Sequence, residues 1–478
     1  DRTTYDELTA WSGRMSNALV NLGVQPGDRV AAQVEKSVAA LVLYLATVRA
    51  GGVFLPLNTA YTAAEIEYFL GDAEPAVFVC DRGKQASLEP VAAKAGAKVA
   101  TLDAHGRGSL ADAAAAAPDS FMTVERSPDD LAAILYTSGT TGRSKGAMLT
   151  HENLTSNAEA LREAWRYSSD DVLIHALPIF HTHGLFVATN VTLFSGASMF
   201  FLPRFDVDQI FALLPRATTM MGVPTFYVRL LQDERLTREA TAHMRLFVSG
   251  SAPLLAETHR EWQARTGHAI LERYGMTETN MNTSNPYDGE RVPGTVGFPL
   301  PGVSVRVTDP DSGTPLGTNE IGMIEVRGPN VFKGYWRMPE KTAAEFRPDG
   351  FFITGDLGKV DERGYLHIVG RGKDLVITGG YNVYPKEIET EIDTIPGVVE
   401  SAVIGVPHRD FGEGVTAVVV RANGATVSEQ DILRHLESRL AKYKLPKRVL
   451  FVDELPRNTM GKVQKNVLRE TYSELYRG

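Results

Sequence analysis

Tyr136-Thr-Ser-Gly-Thr-Thr-Gly-Arg-Ser-Lys145-Gly146 follows the short apolar run Leu131-Ala-Ala-Ile-Leu135, which reads as a buried strand. Glycines, hydroxyl residues and two cations in one loop suit a polyphosphate. Glycine lets backbone N–H groups turn toward an anion, hydroxyls donate further hydrogen bonds, and lysine or arginine neutralises charge. The stretch is not the common P-loop, because Lys145 precedes Gly146 and no Gly-Lys-Ser/Thr sequence occurs. A strand feeding a phosphate loop predicts an α/β chain.

Outward from this loop the apolar pattern repeats. Val30-Ala-Ala-Gln-Val34, the helical run 39–48 closed by Gly51 and Gly52, and Val53-Phe-Leu-Pro-Leu57 form a strand, helix, strand series typical of a parallel sheet. Thr62-Ala-Ala-Glu65 has the spacing of a capping box, and strands are expected at 76–80 and 98–102. The alanine run 113–117 with Pro118 reads as a surface connection. Further strands are expected at 171–174, 198–202, 244–248 and 268–272. Three of these lead into polar loops at 178–184, 249–252 and 273–278, where ligands of open α/β sheets gather. Past residue 300 the texture turns β-rich, and a boundary near Lys373 separates a domain over 1–372 from a smaller one over 373–478.

With 43% hydrophobic and 22% charged residues the 478-residue chain is globular, and its net charge of −9 argues against a nucleic-acid surface. The longest apolar run is too short to span a bilayer, so no membrane partner is expected. One cysteine, Cys80, fits a reducing compartment and a buried small hydrophobe, and the cytoplasm is the expected location. The sequence starts at Asp1 rather than methionine, which leaves an upstream targeting segment open. His181-Thr-His183 lacks a third ligand at zinc spacing.

Five separated motifs, in order, carry a resemblance. They are the loop from Tyr136 to Gly146, Tyr274-Gly-Met-Thr-Glu278, Thr354-Gly-Asp356, Gly370-Arg371 and Asn458-Thr-Met-Gly-Lys462. Together they resemble the adenylate-forming acyl-CoA synthetases over nearly the whole chain. The resemblance implies a large N-terminal domain of layered sheets with flanking helices, and a small mobile α+β C-terminal domain. It also implies two half-reactions in one site: a carboxylate attacks the α-phosphorus of ATP, then coenzyme A attacks the acyl carbon.

On that resemblance Thr137, Ser138, Gly139, Thr140, Thr141, Gly142 and Lys145 would hold phosphates, and Glu278 with Thr137 would meet Mg²⁺. Gly250, Ser251, Ala252, Glu272, Arg273, Tyr274, Gly275, Met276 and Thr277 would line the nucleotide, with Tyr274 stacked on adenine. Asp356 and Arg371 would hold the ribose. Lys462 would stabilise charge at the α-phosphate, Lys373 would be the hinge, and Gly379, Gly380 and Tyr381 would pass the pantetheine arm. Lys462 is also the residue on which a lysine acetyltransferase and deacetylase would act.

The acid pocket is read from His181-Thr-His183-Gly184, Pro224-Thr-Phe-Tyr-Val-Arg229, Ser249-Gly-Ser251 and the run from Glu272 to Met281, which resemble malonyl-CoA synthetases. Arg229 and Arg273 would grip the distal carboxylate of malonate, with Ser251 and His181 nearby. Thr182 and Met281 would border the α-carbon, where a methylmalonate methyl group fits. The physical warrant is that guanidinium offers a carboxylate a matched fork of donors. The rival readings are a medium-chain or aryl acyl-CoA synthetase, a carrier-loading adenylation domain, and a silent nucleotide-binding regulator.

Overall fold

The structure is a computed structural model describing residues 2–137, 144–378, 381–408, 410–440, 442–458 and 461–476, the side chains of Tyr381 and Asn382 apart. Among these residues the strands form four sheets. The first has the order Gly334–Tyr335, Gly146–Thr150, Leu131–Tyr136, Val53–Pro56, Arg29–Gln33, Val77–Cys80 and Lys98–Thr101. Its inner strands run parallel, with Val30 level with Phe54 and Val77. Successive side chains leave a strand on opposite faces, and both faces here are covered. Val77 and Val79 meet helices Tyr5–Asn21 and Val38–Arg49 through Met15, Leu19 and Leu43, whereas Phe78 and Cys80 meet Ile66, Phe69 and Leu88 behind the sheet. Burial on both faces is why these strands read as continuous apolar runs. Burial also pushes the Cys80 thiol up to about 11, so it is a core side chain rather than a nucleophile.

The second sheet runs Phe298–Pro299, Asn280–Ser284, Leu271–Met276, Leu246–Ser249, Thr219–Gly222, Val172–His175 and Ser198–Phe201, again parallel at its centre. Here two sequence expectations are corrected. Residues 273–276 are not loop. The strand continues to Met276 because Asn280–Ser284 returns beside it, a pairing hidden by the polar composition Asn-Met-Asn-Thr-Ser. The alanine run 113–117 begins inside the helix Ser109–Ala115, whose Leu110 and Ala114 are buried. Alanine's high helix propensity, anchored by those contacts, outweighs the turn signal of Pro118.

A third, antiparallel sheet, Ser304–Thr308, Gly322–Arg327, Phe352–Val360 and Leu366–Arg371, follows in the chain. The fourth draws only on residues after 375: Tyr381–Val383, Val376–Thr378, Gly412–Arg421, Val398–His408 and, parallel to the long central strand, Arg448–Val452. The fold is thus a large α/β domain followed by a small α+β one. No helix of the described residues is long and apolar enough to cross a membrane.

One buried charge holds the third sheet together. Glu325 is fully buried and accepts from Arg306 at 2.8 Å, Arg347 at 2.7 Å and Thr308 at 2.9 Å. Removing one partner of such a network strands the other charges. Glu325→Ala is therefore expected to lower stability by about 3 kcal/mol, read as a fall in the urea midpoint, whereas Arg363→Ala, at an exposed pair with Glu290, changes it by less than about 1 kcal/mol.

Candidate active site

The hairpin formed by Leu271–Met276 and Asn280–Ser284 brings the site together. Gly275 allows its close turn, since a Cβ there would lie 2.0 Å from the Asn280 carbonyl oxygen. Glu278 sits at the tip, buried, and its carboxylate accepts from the Tyr335 hydroxyl at 2.9 Å. Burial raises its proton affinity against the opposing pull of that hydrogen bond. The same hydroxyl lies 2.7 Å from Glu345, which pairs with Lys145 at 3.5 Å. Lys145 also stands 4.1 Å over the Tyr335 ring. Tyr335 and Glu345 were not found from sequence, and nothing in their local pattern marks them.

The phosphate loop is framed by the antiparallel pair Leu131–Tyr136 and Gly146–Thr150. Its mouth is closed by a bond from the Thr137 amide to the Lys145 carbonyl, 2.9 Å, and Tyr136 is tied to Asp72. Ser138, Gly139, Thr140, Thr141 and Gly142 lie outside the described residues, as do Gly379, Gly380 and the Tyr381 side chain.

Across the site Asp356 and Arg371 are register partners on neighbouring strands, and Arg371 Nε meets Asp356 Oδ1 at 2.8 Å. The other Asp356 oxygen accepts from the buried Tyr274 hydroxyl at 2.5 Å. The Glu272 carboxylate is occupied by His259 and the Gly294 amide, each at 3.1 Å. Its side chain thus braces the strand Leu271–Met276 from behind. Met276 and Thr277 are half-buried beside the tip.

Arg273 is the unusual group. It is 5% exposed, and its Nε and Nη2 have no hydrogen-bond partner among the described residues. Its guanidinium lies against Gly250, where a Cβ would sit 2.2 Å from Cζ, so only glycine leaves room. Burial pushes its pKa down to about 9, which still leaves the group charged at neutral pH. His183 feels its charge, and among the described residues Thr182 Oγ1, His183 Nε2 and Ser249 Oγ are likewise buried without a hydrogen-bond partner. His183 Nδ1 meets Ser251 Oγ at 3.1 Å, and Ser251 holds a left-handed backbone, φ 71°. Met281 is buried beside Gly275, and Ala252 is half-buried at the loop end. An unpaired buried charge ringed by unsatisfied donors is arranged for an anion.

The structure does not bring Arg229 to this cavity. On the helix Pro224–Leu231 the core-facing residue is Tyr227, which donates to the Val248 carbonyl at 2.6 Å. Two residues on, about 200° around the helix, Arg229 is exposed and reaches toward Phe205 instead. Arg291 is spent on three backbone carbonyls, those of Pro286, Ala269 and Tyr287.

The small domain completes the cavity. Gly461 turns with φ 76°, next to Thr225 of the large domain, and presents Lys462. Burial, followed by the Arg371 charge, lowers the Lys462 pKa to about 8. Burial pushes His181 down to about 3, helped by Lys462 and Arg273, so this imidazole is neutral and shares a space with both cations. Lys373 sits in the turn Gly372–Asp374 leading into the small domain.

Comparison with known proteins agrees with this layout. Residues 1–336 match the family model of the AMP-binding enzymes and residues 387–462 that of the AMP-binding enzyme C-terminal domain. The structure of ATP-bound MatB from Rhodopseudomonas palustris is 72% identical, covers all of this chain and 95% of its own, and superposes with a TM-score of 0.98. The apo form of that protein gives 0.87 over the same coverage. A malonate–CoA ligase of Arabidopsis thaliana is 35% identical over 97% of this chain and 81% of its own, and a feruloyl-CoA synthase of a Streptomyces species 38% identical over 98% and 94%.

The packing of Gly250 on Arg273 can be tested directly. Gly250→Ala is expected to displace the guanidinium and weaken binding of a small dicarboxylate about tenfold or more, measured by calorimetry, because a paired charge is lost rather than a surface contact. Unchanged binding would remove Arg273 from the anion site.

Proposed function

The chain belongs to the AMP-binding enzyme family, and we propose that within it the chain is an ATP-dependent malonate–CoA ligase whose acid specificity rests on Arg273. The observation that carries the acid is the buried guanidinium with two unpartnered donors. A feruloyl or fatty acyl group placed there would leave the charge unpaired. A distal carboxylate satisfies it, and sites built for a polar group reject analogues lacking it by about 10⁴. Thr182 and Met281 border the α-carbon, with room for the methyl group of methylmalonate.

In the first half-reaction the proximal carboxylate oxygen attacks the α-phosphorus of ATP. A C–O–P bond forms, the bond to the β-phosphate oxygen breaks, and pyrophosphate leaves. Lys462 lies where charge develops on the α-phosphate, and its ammonium stabilises that charge. Neutral His181 sits between Lys462 and Arg273 without adding a third positive charge. Lys145 meets the outer phosphates in exchange for Glu345. Asp356 accepts from the ribose hydroxyls, Arg371 holds the aspartate in place, and Tyr274 provides a face for adenine. Mg²⁺ suits Glu278, a carboxylate with Thr137 at the same loop mouth, since this ion takes one or two protein ligands and completes its shell with phosphate and water. When bound it supplies neutralisation of the phosphate charge.

In the second half-reaction the thiol of coenzyme A, as thiolate, attacks the acyl carbon, and AMP leaves as the C–O bond breaks. We place the domain boundary between 372 and 373, supported by the absence of described strand pairing across it, with Lys373 as the hinge. On the sequence resemblance alone we assign Gly379, Gly380 and Tyr381 to the pantetheine arm. We also place Lys462 under acetyltransferase and deacetylase control, because acetylation removes the charge the first step uses, and the enzyme in the cytoplasm.

A carboxylate panel with ATP and CoA, read by pyrophosphate release and thioester formation, tests the substrate. Malonate is expected to lead and acetate to trail by about 10⁴ in kcat/KM. Turnover of ferulate or octanoate without malonate would overturn the assignment.

Lys462 gives a second test. Lys462→Ala is expected to lower adenylation by about 10² or more while a supplied malonyl-adenylate still reacts with CoA. The protonated lysine is the active form and its pKa lies at about 8 in the free chain. Hence kcat/KM for ATP in the wild type is full below pH 8 and falls as pH rises through it. An unchanged profile in Lys462→Arg, whose charge persists to higher pH, would assign that limb to another group.

A further inference from the structure

The strand end His175 and the loop residue Lys36 form a buried pair that the reaction above does not use. Lys36 is 8% exposed and, among the described residues, has no carboxylate within ion-pair distance. Its Nζ meets His175 Nδ1 at 2.9 Å and the His175 carbonyl at 2.8 Å, and lies 4.4 Å over the Phe201 ring. Its N–H donors thus meet two acceptors beside a π face, while burial pushes its proton affinity well down. Since Nδ1 accepts from lysine, the His175 proton is on Nε2, which lies 2.9 Å from the Gly184 carbonyl. Thr189 Oγ1 donates to that same oxygen, also at 2.9 Å.

Gly184 is where the acid pocket joins the fold. Pro178 crosses so closely that a Cβ on Gly184 would stand 1.9 Å from its carbonyl oxygen. His183–Thr189 then winds as a wholly buried π-helix, a form that persists only where surrounding contacts enforce it. The three residues before Gly184 are His181, Thr182 and His183; both histidines feel the Arg273 charge, and His183 meets Ser251. Lys36 lies in the loop after the first-sheet strand Arg29–Gln33 and His175 ends a strand of the second sheet, so the pair also ties that loop to the second sheet.

We propose that Lys36 is a positioning residue for the acid: through His175 it fixes the Gly184 carbonyl, and thereby holds His181, Thr182 and His183 at the distance from Arg273 that a three-carbon dicarboxylate spans. The claim rests on the malonate reading of that cavity. It assigns a specificity role to a loop residue outside the acid pocket, without contact to the substrate.

The test uses the full chain and separates positioning from mere stability. Lys36→Met leaves His175 Nδ1 buried without a donor and is expected to lower the melting temperature. Lys36→Met combined with His175→Leu replaces both polar partners by apolar ones, which is close to neutral for stability. In that double variant kcat/KM for malonate is expected to stay roughly 10² below wild type, chiefly in KM, while the ATP dissociation constant moves by less than about twofold. Recovery of malonate kcat/KM together with the melting temperature would overturn the proposal, as would equal weakening of ATP and malonate. Should neither variant fold, Thr189→Val decides: a several-fold rise in malonate KM supports the proposal, and an unchanged KM overturns it. Wild-type enzyme inactive on malonate would instead overturn the substrate reading, and the same variants would then be read with the acid it does activate.

Discussion

A guanidinium held out of water, with no counter-ion among the described residues, is the constraint on which the site depends. Leaving Arg273 unpaired costs the folded chain several kcal/mol that no contact in the free protein returns. Such an arrangement persists only if the surroundings over-determine it. The strand carrying Arg273 is paired on both sides, Glu272 behind it is locked by His259 and Gly294, and Gly250 removes the side chain that would otherwise displace the guanidinium. The charge is kept in place by backbone, not by a partner that a substrate would have to expel.

The same logic extends to the neighbouring groups. Lys462 comes from the small domain into a space that holds Arg371 and Arg273 as well as Asp356 and Glu278, and Lys462 and Arg273 both lower the proton affinity of His181. A protonated imidazole would repel the two cations beside it, and burial that keeps it neutral avoids that repulsion. Lys462, Arg273 and Arg371 repel one another across this space, so negative ligands lying between them are favoured.

Much of this was legible in the sequence, and what was not has physical causes. Strands with two buried faces announced themselves as apolar runs at 30–34, 53–57 and 76–80, and the capping box at Thr62 closes as its spacing requires. Glu278, Asp356, Arg371 and Lys462 converge from positions up to 184 residues apart because the motifs keep their order, though order alone says nothing of distance. Arg229 failed because a motif match does not report helix phase. The strand Asn280–Ser284 failed because four of its five buried residues are polar, so hydrophobic alternation is absent. Tyr335, Glu345, Lys36 and His175 are contacts between distant segments, a kind of information that no local pattern carries.

The two anion sites differ in how they wait for their ligands, and the difference bears on selectivity. Lys145 is paired with Glu345, which is linked through the Tyr335 hydroxyl to Glu278. Incoming phosphates must replace that half-buried ion pair, so part of their attraction is spent on an exchange of partners. Arg273 has no partner to exchange. A carboxylate that reaches it gains the full interaction, and an uncharged acyl group loses it entirely, with nothing inside the protein to soften the loss. Discrimination should thus be sharper at the acid than at the phosphates. It depends on keeping Thr182, His183 and Ser249 unsatisfied as well: any internal partner for these groups would narrow the difference between a dicarboxylate and its apolar analogues.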